Sequence, residues 1–303
     1  MTDQRRHKLL LLDGSAVLFR SFYATAPYGQ YMYNDEGIPT NAVNGFLRHL
    51  FLAVSHFKPT HLAVCWDTGE KTFRHELYPD YKGNRAEPPE ELVPQFLLAR
   101  KALEALAVPS IAKSGYEADD CLGTIASRVK EEAEVYILTG DHDLLQVLDD
   151  HVYVVLLKKG MGNYEVVSKD QFITERGYTP VHYIDIKAFP GDASDHYPGV
   201  YGIGPKTAKK LIREYGSVSG VLKNLHQLTP SQRKKIEKER EHLILSGKLA
   251  EIHCRVPVTF NLEDAKIQFQ DAHFRERLKQ LNIRGMTRIL SLVEDQAPLG
   301  PVI

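Results

Sequence analysis

Acidic side chains recur in short clusters along this chain, and most of the clusters stand where an apolar run ends. KLLLL leads into Asp13, HLAVCW into Asp67, and VYILTG into the acids of DHD. Apolar runs of this length are typical of buried parallel strands, whose carboxyl ends share the edge of the sheet at which ligands bind. Two further clusters lie in GYEADD and FPGDASD. We therefore expect a parallel α/β sheet flanked by helices, with these acids at one edge: Asp13, Asp67, Glu117, Asp119, Asp120, Asp141, Asp143, Asp192 and Asp195.

A pocket built from these acids is strongly repulsive unless something balances its charge. Two unit charges roughly 4 Å apart repel by about 4 kcal/mol at an effective dielectric constant near 20. The cluster is therefore tolerable only if cations bind within it or if several acids stay protonated. Oxygen ligands suit hard divalent ions such as Mg²⁺ and Mn²⁺. The pattern indicates metal-assisted chemistry on phosphate groups.

The distribution of charge points to a polyanionic partner. The 303 residues carry a formal net charge of −1, but residues 199–255 contain 12 Lys and Arg against 5 Glu and no Asp. A basic segment downstream of an acid pocket is expected of a protein that holds a nucleic acid with one part and cuts it with another.

The cysteines and the hydropathy of the chain indicate the cellular compartment in which the protein is expected. Cys65, Cys121 and Cys254 are odd in number and show no zinc-binding spacing, so we interpret them as reduced thiols. No apolar stretch is long enough to cross a membrane or to form a signal peptide. We expect a cytoplasmic protein.

The order of predicted elements divides the chain into three parts. Strands alternate with amphipathic helices over 5–170, as in a parallel α/β sheet. Helices punctuated by proline then dominate 171–265, and a helical extension follows over 266–303. A polar, aromatic and basic stretch at about 69–94 lacks core periodicity, and we interpret it as a surface loop or mobile arch.

Each acid motif alone also has a plain structural explanation. Glu117 begins a predicted helix, and acids are favourable in a first turn because of the helix dipole. Asp141 suits the N-cap of a turn or helix. Asp192 and Asp195 stand in a loop bounded by proline and glycine, which a simple turn would also explain. The occurrence of all the clusters in one chain favours the metal-binding interpretation.

The stretch GVYGIGPKTAKKLIREYGS, residues 199–217, predicts a helix-hairpin-helix. Its glycines allow backbone amides to approach an anion, and Pro205 is a favourable first residue of a helix. Such a motif binds the DNA backbone without reading bases. The alternative is a glycine-rich connection followed by a solvated basic helix. The residues expected to contact DNA here are Gly202, Gly204, Lys206, Thr207, Lys209 and Lys210.

The arch segment mixes positive charge with an aromatic ring. Arg74, Lys82 and Arg85 stand around Tyr81 in the sequence, which suits a single strand whose phosphates pair with cations and whose bases stack on the ring. A solvated loop is the alternative. Arg20 lies on a predicted helix after the first acid, and it is expected either to reach a DNA phosphate or to cap the surface.

Together these motifs resemble those of the bacterial and phage 5′-nuclease family, relatives of flap endonucleases and of the N-terminal 5′–3′ exonuclease domain of DNA polymerase I. The resemblance covers roughly residues 8–260 and includes DGSAVLFRSFYA, FRHELYPDYKGNR, GYEADD, LTGDHDLLQ and GDASDHYPGVYGIGPKTA. It implies a PIN-like or resolvase-like sheet, a helical DNA-binding domain, and a free-standing phosphodiesterase that uses two divalent ions. The implied substrates are flaps, nicks and 5′ ends of DNA, with RNA primers on DNA also open. We expect a monomer.

The resemblance also implies roles for the site residues. The first ion would be held by Asp13, Asp67, Glu117 and Asp119. The second would be held by Asp141, Asp143 and Asp192 together with Asp119. Asp120 and Asp195 would act in the outer shell or bind an ion through water, and Tyr81 would stack on a base. Lys82 and Arg85 would be catalytic at the scissile phosphate, and a potassium ion would bind near Val200 and Ile203. His142 and His196 depart from the family pattern, and neither is a ligand in this mapping.

Two rival functions stay open on these residues. A PIN-type ribonuclease shares the acid-ended sheet, although it usually has fewer acids and no helix-hairpin-helix. A structure-specific DNA-binding protein that has lost catalysis would share the basic segment, although the acid set here is complete.

Overall fold

The computed structural model describes residues 7–26, 29–269 and 272–294, and six strands in it form one sheet. The strands are β1 (His7–Asp13), β2 (His61–Cys65), β3 (Ser110–Ile111), β4 (Ala133–Thr139), β5 (Val152–Leu157) and β6 (Tyr164–Val167), in the order β3-β2-β1-β4-β5-β6. The first five are parallel, whereas β6 runs antiparallel to β5 at one edge. The predicted α/β sheet is confirmed, with an antiparallel edge strand that the sequence did not predict.

Thirteen α-helices occur among the described residues, and loops and short 3-10 helices connect the elements. The α-helices are α1 (Gly14–Thr25), α2 (Asn41–Phe57), α3 (Phe73–Leu77), α4 (Val93–Ala105), α5 (Ala118–Val129), α6 (Lys169–Arg176), α7 (His182–Ala188), α8 (Pro205–Tyr215), α9 (Val218–Lys223), α10 (Pro230–Lys238), α11 (Arg240–Ala250), α12 (Ala272–Gln280) and α13 (Met286–Glu294). A short 3-10 helix, His142–Val147, follows β4. None of the helices that the structure describes is long and apolar enough to cross a membrane.

Two helical layers cover the sheet because successive side chains of a strand point to opposite faces. Leu10 and Leu12 of β1 share a core with α1, α2 and α4, whereas Leu9 and Leu11 share a core with α5. All four leucines are fully buried. Burial on both faces explains why the strands appear in the sequence as continuous apolar runs.

After β3 the chain crosses back over the sheet and continues on the other side of β1. Strands β2 and β3 lie on one side of β1, and β4 and β5 lie on the other. A crevice opens at such a reversal, beyond the carboxyl ends of the strands, and ligands of α/β proteins bind there. In this chain the crevice lies between β1 and β4, which end at Asp13 and Thr139.

The helical part shares a core with the α5 face of the sheet. Helix α7 packs against α8 and α11, and Ile186, Leu211 and Leu243 belong to the same apolar cluster as α5. The predicted helical domain is confirmed, and its boundaries stay predictions. In the C-terminal extension, Phe274 and Ile289 are buried on the opposite face, beside α2 and α4. Residues 295–303 of that extension lie outside the described residues.

The segment at about 69–94 differs from the loop that the sequence predicted. It contains helix α3, and Arg74 and Tyr81 are only 2% and 3% exposed. The segment is therefore folded against the acid edge of the sheet. Apolar periodicity could not reveal this, because the groups that it buries are a guanidinium and a phenol bound to carboxylates.

Candidate metal centre and nucleic-acid interface

Asp13 links the ends of two neighbouring strands at the crevice. It is the last residue of β1 and the N-cap of α1, and its Oδ1 accepts a hydrogen bond from the Ala16 N–H at 2.9 Å. Its Oδ2 accepts a hydrogen bond from the hydroxyl of Thr139, the last residue of β4, at 2.9 Å. An N-cap carboxylate is favourable because it satisfies a helix amide and the helix dipole. These contacts fix Asp13 at the reversal point of the sheet.

Asp67 brings the start of α5 to the same edge. Its Oδ1 accepts a hydrogen bond from the Ala118 N–H at 2.9 Å, and its own N–H donates to the Ser15 hydroxyl at 3.0 Å. Ala118 is the first residue of α5. The acids Glu117 and Asp119 therefore stand beside the end of β2, as the motif GYEADD had led us to expect.

Four acids of the crevice act on one another without a basic partner. Burial, followed by the charge of Asp67 and later that of Asp141, raises the pKa of Asp13 to about 7. Burial and then the charges of Asp13, Asp141 and Asp67 raise the pKa of Asp119. Within the described residues none of these four forms an ion pair. We call Asp13, Asp67, Asp119 and Asp141 the unpaired acids.

Lys187 binds two acids on the other side of the crevice. Its Nζ donates to both oxygens of Asp143 at 2.6 Å and to Oδ2 of Asp192 at 2.7 Å. Burial raises the pKa of Asp192, but hydrogen bonds from Lys187 and Ser194 outweigh burial and hold it at about 2. The pKa of Asp143 is raised to about 6 by burial and the charge of Asp141, despite the same ammonium group.

Sequence reasoning missed Lys187. It lies on α7, five residues before Asp192. A single lysine on a helix carries no signal of this kind, because its partner Asp143 stands 44 residues earlier in the chain. Only the packing of α7 against the 3-10 helix after β4 brings the two together.

The two predicted catalytic cations lie at the rim of the crevice and are bound to acids. Lys82 Nζ donates to Oε1 of Glu117 at 2.6 Å, and Arg85 donates to Oδ1 of Asp195 at 2.6 Å. The Lys82 side chain is 20% exposed and that of Arg85 is 55% exposed, so both are open to solvent. Their catalytic role stays a prediction. Together with the partners of Lys187, these acids form a second set, the paired acids: Glu117, Asp143, Asp192 and Asp195.

Tyr81 is not a stacking platform for a base, which corrects the prediction made for it. Its ring is buried and stacks on Tyr197, with 6.3 Å between the ring centroids. Its hydroxyl lies 3.2 Å from Oε2 of Glu117 and 3.1 Å from Oδ2 of Asp195. Tyr81 therefore connects two paired acids. Residue type alone favoured stacking, because a tyrosine among cations also suits a single strand.

Arg74 and Asp120 satisfy each other inside the protein, which corrects two more predictions. Asp120 is fully buried, and its oxygens accept hydrogen bonds from two nitrogens of Arg74, each at 2.8 Å. They also accept the Glu117 N–H at 3.0 Å and the His253 N–H at 2.8 Å. Asp120 has no lone pair left for an ion or its water, and Arg74 is not accessible to DNA. The predicted DNA contact of Arg74 is wrong, and Asp120 does not bind an ion directly or through water, whereas its outer-shell role beside Glu117 stays a prediction.

The acid loop around Asp192 is closed by a close approach of two glycines. Asp192 and Tyr197 form an antiparallel bridge, with N–O distances of 3.1 and 3.0 Å. A Cβ atom on Gly199 would lie 2.3 Å from the Phe189 oxygen and from the Gly191 nitrogen. Only a residue without a side chain fits at this contact. The acid loop is therefore held directly against the hairpin that begins at Gly199.

The predicted hairpin is present between this loop and α8. Gly202 has a φ of +78°, and the Ile203 N–H donates to the Val200 carbonyl at 3.0 Å. Gly202 and Gly204 are exposed. On α8, which begins with Pro205, Lys206 and Lys210 are exposed, and Thr207 and Lys209 are half-buried. The arrangement presents backbone amides and cations on one surface, and DNA binding by it stays a prediction.

A lysine that the sequence did not single out also stands at the hairpin. Lys235 of α10 donates from its Nζ to the Gly202 carbonyl at 3.1 Å. The side chains of Val200 and Ile203 are buried, so only their backbone could face an ion. The potassium site near these two residues stays a prediction.

Three further predicted residues lie around the crevice. Arg20 donates to the carbonyl groups of Leu157 and Lys158, so it caps the end of β5. A phosphate contact by Arg20 stays a prediction. His142 is exposed, and Nδ1 of His196 lies 3.0 Å from the Asp80 carbonyl.

The carboxylates in this region outnumber the basic side chains bound to them, and this excess of negative charge suits divalent cations. Among the described residues these nine carboxylates meet four basic side chains, so with all nine ionised five negative charges are uncompensated. The four are Arg74, Lys82, Arg85 and Lys187. In the described part of the chain no three Asp, Glu, His or Cys side chains surround a common point as they stand. The donors are oxygen atoms, the set that Mg²⁺ and Mn²⁺ prefer, and the residues present fit such ions.

Two family models match this chain along nearly its whole length. The N-terminal resolvase-like domain of 5′-3′ exonucleases matches residues 8–177, and their C-terminal SAM fold matches residues 178–273. The first match contains the sheet and seven of the nine acids, and the second contains the acid loop and the hairpin.

Similar proteins include one of almost equal length and others that are much longer. The 5′-3′ exonuclease of Bacillus subtilis is 52% identical over 284 residues, which cover 94% of this chain and 96% of that protein. The DNA polymerase I of Bacillus caldotenax is 41% identical over 268 residues, which cover 88% of this chain and 30% of the polymerase. The chain thus spans less than a third of that polymerase.

Solved structures share the fold at low sequence identity. A flap endonuclease of bacteriophage T5, in a complex with DNA and metal ions, has a TM-score of 0.67 at 20% identity and covers 95% of this chain and 100% of its own. The catalytic core of Rad2 with a DNA substrate has a TM-score of 0.59 at 14% identity and covers 96% and 93%. The family models and the Bacillus subtilis relative confirm the resemblance seen in the motifs: the chain belongs to the 5′-3′ exonuclease family.

Proposed function

We propose that this chain is a metal-dependent, structure-specific 5′ nuclease that hydrolyses DNA phosphodiesters at flaps, nicks and 5′ ends. The observation that carries this proposal is the set of unpaired acids, which form no ion pair with a basic side chain in the part of the chain that the structure describes and which repel one another. Membership of the 5′-3′ exonuclease family supports the reaction. The DNA in the T5 and Rad2 structures supports the substrate class.

Two divalent ions, Mg²⁺ or Mn²⁺, would be held by the acids of the crevice. Asp13, Asp67, Glu117 and Asp119 suit one ion, and Asp141, Asp143 and Asp192, with Asp119 shared, suit a second. Bound ions of this kind lower the pKa of water and stabilise charge on a leaving oxygen. The chain itself orients the ligands, since Asp13 is held by Thr139 and Asp67 by the start of α5.

The rim cations would act on the scissile phosphate. Lys82 and Arg85 stand beside the acids, and both reach solvent. A cation that meets the phosphate as charge develops stabilises the transition state more than the bound substrate. Each must first exchange its carboxylate partner, Glu117 or Asp195, for the phosphate. With divalent ions held in the crevice, Glu117 and Asp195 would no longer need a basic partner, and Lys82 and Arg85 would be released to the phosphate.

The hairpin and α8 would hold the duplex part of the substrate. Exposed lysines bind phosphates and release counterions, so this binding depends on salt and not on sequence. Removing Lys206 and Lys210 together by alanine substitution should weaken duplex binding for all sequences alike, and should reduce the slope of log K against log salt by about one per lost contact. Glu237→Ala on α10 is a matched surface control. Altered base preference at an unchanged slope would contradict the hairpin interpretation.

The proposal is tested with labelled DNA. A 5′ flap, a nick and a blunt duplex of the same sequence are digested with Mg²⁺, with Mn²⁺ and with EDTA. We expect cleavage with either ion, a preference for the branched or nicked substrate, and none with EDTA. Substantial cleavage in EDTA would overturn the metal mechanism, and equal cleavage of all duplexes would overturn the structure specificity. An RNA-primed duplex and a sizing measurement test the primer substrate and the monomer in the same preparation.

A further inference from the structure

Arg74 uses its whole guanidinium group inside the protein. Two of its nitrogens bind the two oxygens of Asp120, each at 2.8 Å, and one of them lies 3.3 Å from the Glu117 carboxylate. Its Nε donates to the Leu249 carbonyl at 3.0 Å, and a terminal nitrogen donates to the Glu251 carbonyl at 2.7 Å. A two-point pair with a carboxylate fixes orientation as well as charge. The geometry is more demanding than charge neutralisation requires.

These contacts join three elements at one point. Arg74 lies on α3, Glu117 and Asp120 stand at the start of α5, and Leu249 and Glu251 stand at the end of α11. Helix α11 belongs to the helical part, which also carries the hairpin. A cation is favourable at the end of a helix, where carbonyl groups are left without amide partners. Arg74 therefore connects the arch and the helical part to the helix that presents the metal-centre acids.

Asp120 links Arg74 to the backbone of Glu117. The Oδ2 atom that binds Arg74 also accepts the Glu117 N–H at 3.0 Å, so the backbone of Glu117 is tied to the ion pair. The side chain of Glu117 then meets Lys82 at 2.6 Å and the Tyr81 hydroxyl at 3.2 Å. A displacement of Arg74 would move a paired acid of the crevice without any direct contact between Arg74 and a substrate.

We propose that Arg74 is a positioning residue of the metal centre, which holds Glu117 in place through Asp120 and fixes the acids relative to the helical part. The inference rests on the proposed metal-dependent function. Partners that orient a metal ligand from outside typically contribute about 10- to 100-fold to metal affinity or activity. Lysine keeps the charge of arginine but not its two-point geometry, so the substitution Arg74→Lys is not conservative at this site.

The test compares metal affinity with DNA affinity in the full chain. For Arg74→Lys, we expect the affinity of EDTA-stripped protein for Mn²⁺, measured by the EPR signal of the unbound ion, to fall by roughly tenfold. The half-saturating Mn²⁺ concentration for flap cleavage should rise by the same factor. The dissociation constant for the flap in Ca²⁺ should stay within about twofold, because no phosphate contact is lost.

A double variant guards against unfolding, since a buried acid without its partner is strongly destabilising. Arg74→Gln with Asp120→Asn removes both charges and keeps hydrogen-bonding groups at both positions. We expect this protein to melt in one transition and still to bind Mn²⁺ more weakly than the wild type, because the support of Glu117 is no longer rigid.

Arg128→Lys is the matched control. Arg128 lies at the other end of α5 and donates to the carbonyl groups of Val256 and Val258 at 2.6 and 2.8 Å. Its replacement loosens the same helix far from the acids. The melting temperature should fall, while the Mn²⁺ affinity stays that of the wild type.

Each outcome separates the interpretations. Wild-type Mn²⁺ affinity in both Arg74 variants, with only a lower melting temperature, would reduce Arg74 to a structural residue and overturn the proposal. A large loss of flap affinity with unchanged Mn²⁺ affinity would overturn it in favour of a DNA contact. A wild-type protein that binds no Mn²⁺ would overturn the proposed function itself, and this inference with it, before any variant is compared.

Discussion

The unpaired acids and the paired acids are two halves of one crevice, and they differ in what balances their charge. The unpaired acids stand at strand ends and in the first turn of α5, and burial with mutual repulsion raises the pKa of Asp13 and Asp119. The paired acids are bound by ammonium, guanidinium or both, and the pKa of Asp192 is held at about 2. Among the described residues, one half has no basic side chain bound to it, whereas each acid of the other half has one.

This difference implies an order of ion binding. An ion at the unpaired acids relieves repulsion and displaces no basic side chain. An ion at Asp143 and Asp192 competes with the Nζ of Lys187, which lies within 2.7 Å of both. We therefore expect the first ion to bind more tightly than the second.

The largest effect should follow the loss of an unpaired acid. Asp119→Ala removes a proposed metal ligand from the unpaired acids, so the rate of flap cleavage should fall by about 1,000-fold or more, while flap binding in Ca²⁺ stays within a few-fold. Single-turnover cleavage and fluorescence anisotropy measure the two quantities. Asp150→Ala removes an exposed acid paired with Lys169 and serves as the control. Near-normal cleavage by Asp119→Ala would place the ions elsewhere.

Removing the built-in cation should change the response to metal. Lys187→Gln leaves Asp143 and Asp192 without their partner, so the free energy of unfolding in EDTA should fall by about 3 kcal/mol. Added Mn²⁺ should then restore more stability than it adds to the wild type, because the ion no longer competes with an ammonium group. Thermal melts with and without Mn²⁺ measure both effects. Lys169→Gln, at an exposed pair, is the control, and an equal gain in all three proteins would refute the competition.

Neutralising one acid from each half should have opposite effects on the metal-free protein. In EDTA, Asp119→Asn should be more stable than the wild type by about 1 kcal/mol because it relieves repulsion, although it should be catalytically inactive. Asp192→Asn should be less stable by about 1–2 kcal/mol because it loses a favourable ion pair. Denaturant unfolding in EDTA gives both values. Changes of the same sign would show that the two halves do not differ in charge balance.

The smallest expected effect is the pH dependence of these differences. An acid whose pKa is raised by folding lowers the free energy of unfolding once the pH exceeds the ordinary pKa of that acid. The loss grows until the pH reaches the pKa in the folded protein, so for Asp13 it develops between pH 3.8 and about 7. An acid held at about 2, such as Asp192, contributes stability above 3.8 and loses it as pH falls towards 2. In EDTA the gain in free energy of unfolding of Asp119→Asn over the wild type should therefore be larger near pH 8 than near pH 5. The loss in free energy of unfolding of Asp192→Asn should be equal at both pH values. Unfolding at the two pH values checks this, and a pH-independent advantage of Asp119→Asn would contradict it.

The strand-end part of the site could be predicted because local and global signals agree there. Asp13, Asp67 and Asp141 each follow an apolar run, and the carboxyl ends of parallel strands meet at one edge. The position of Glu117 and Asp119 followed from the helix that begins after GYE. For these residues, position in an element determines position in the fold.

The rest of the site could not be predicted, because it depends on which partner a charged side chain meets first. Nothing in FRHELYPDYK distinguishes a guanidinium that faces a phosphate from one that faces Asp120. Tyr81 has the same ambiguity, since its ring can stack on a base or on Tyr197. Lys187 finds Asp143 only through the packing of two separate elements. Ion pairs of this kind are properties of the tertiary structure.

The contact between Gly191 and Gly199 has a consequence for where DNA is cut. It makes the acid loop and the hairpin one rigid piece, with the carboxylate of Asp192 at one end and the exposed backbone of Gly202 at the other. A duplex held at the hairpin then lies at a fixed distance from the acids. In that case the distance between the hairpin and the acids sets the position of the cut along the duplex, and no base contact is needed. A side chain at Gly199 would break the contact with Gly191 and, with it, the fixed distance.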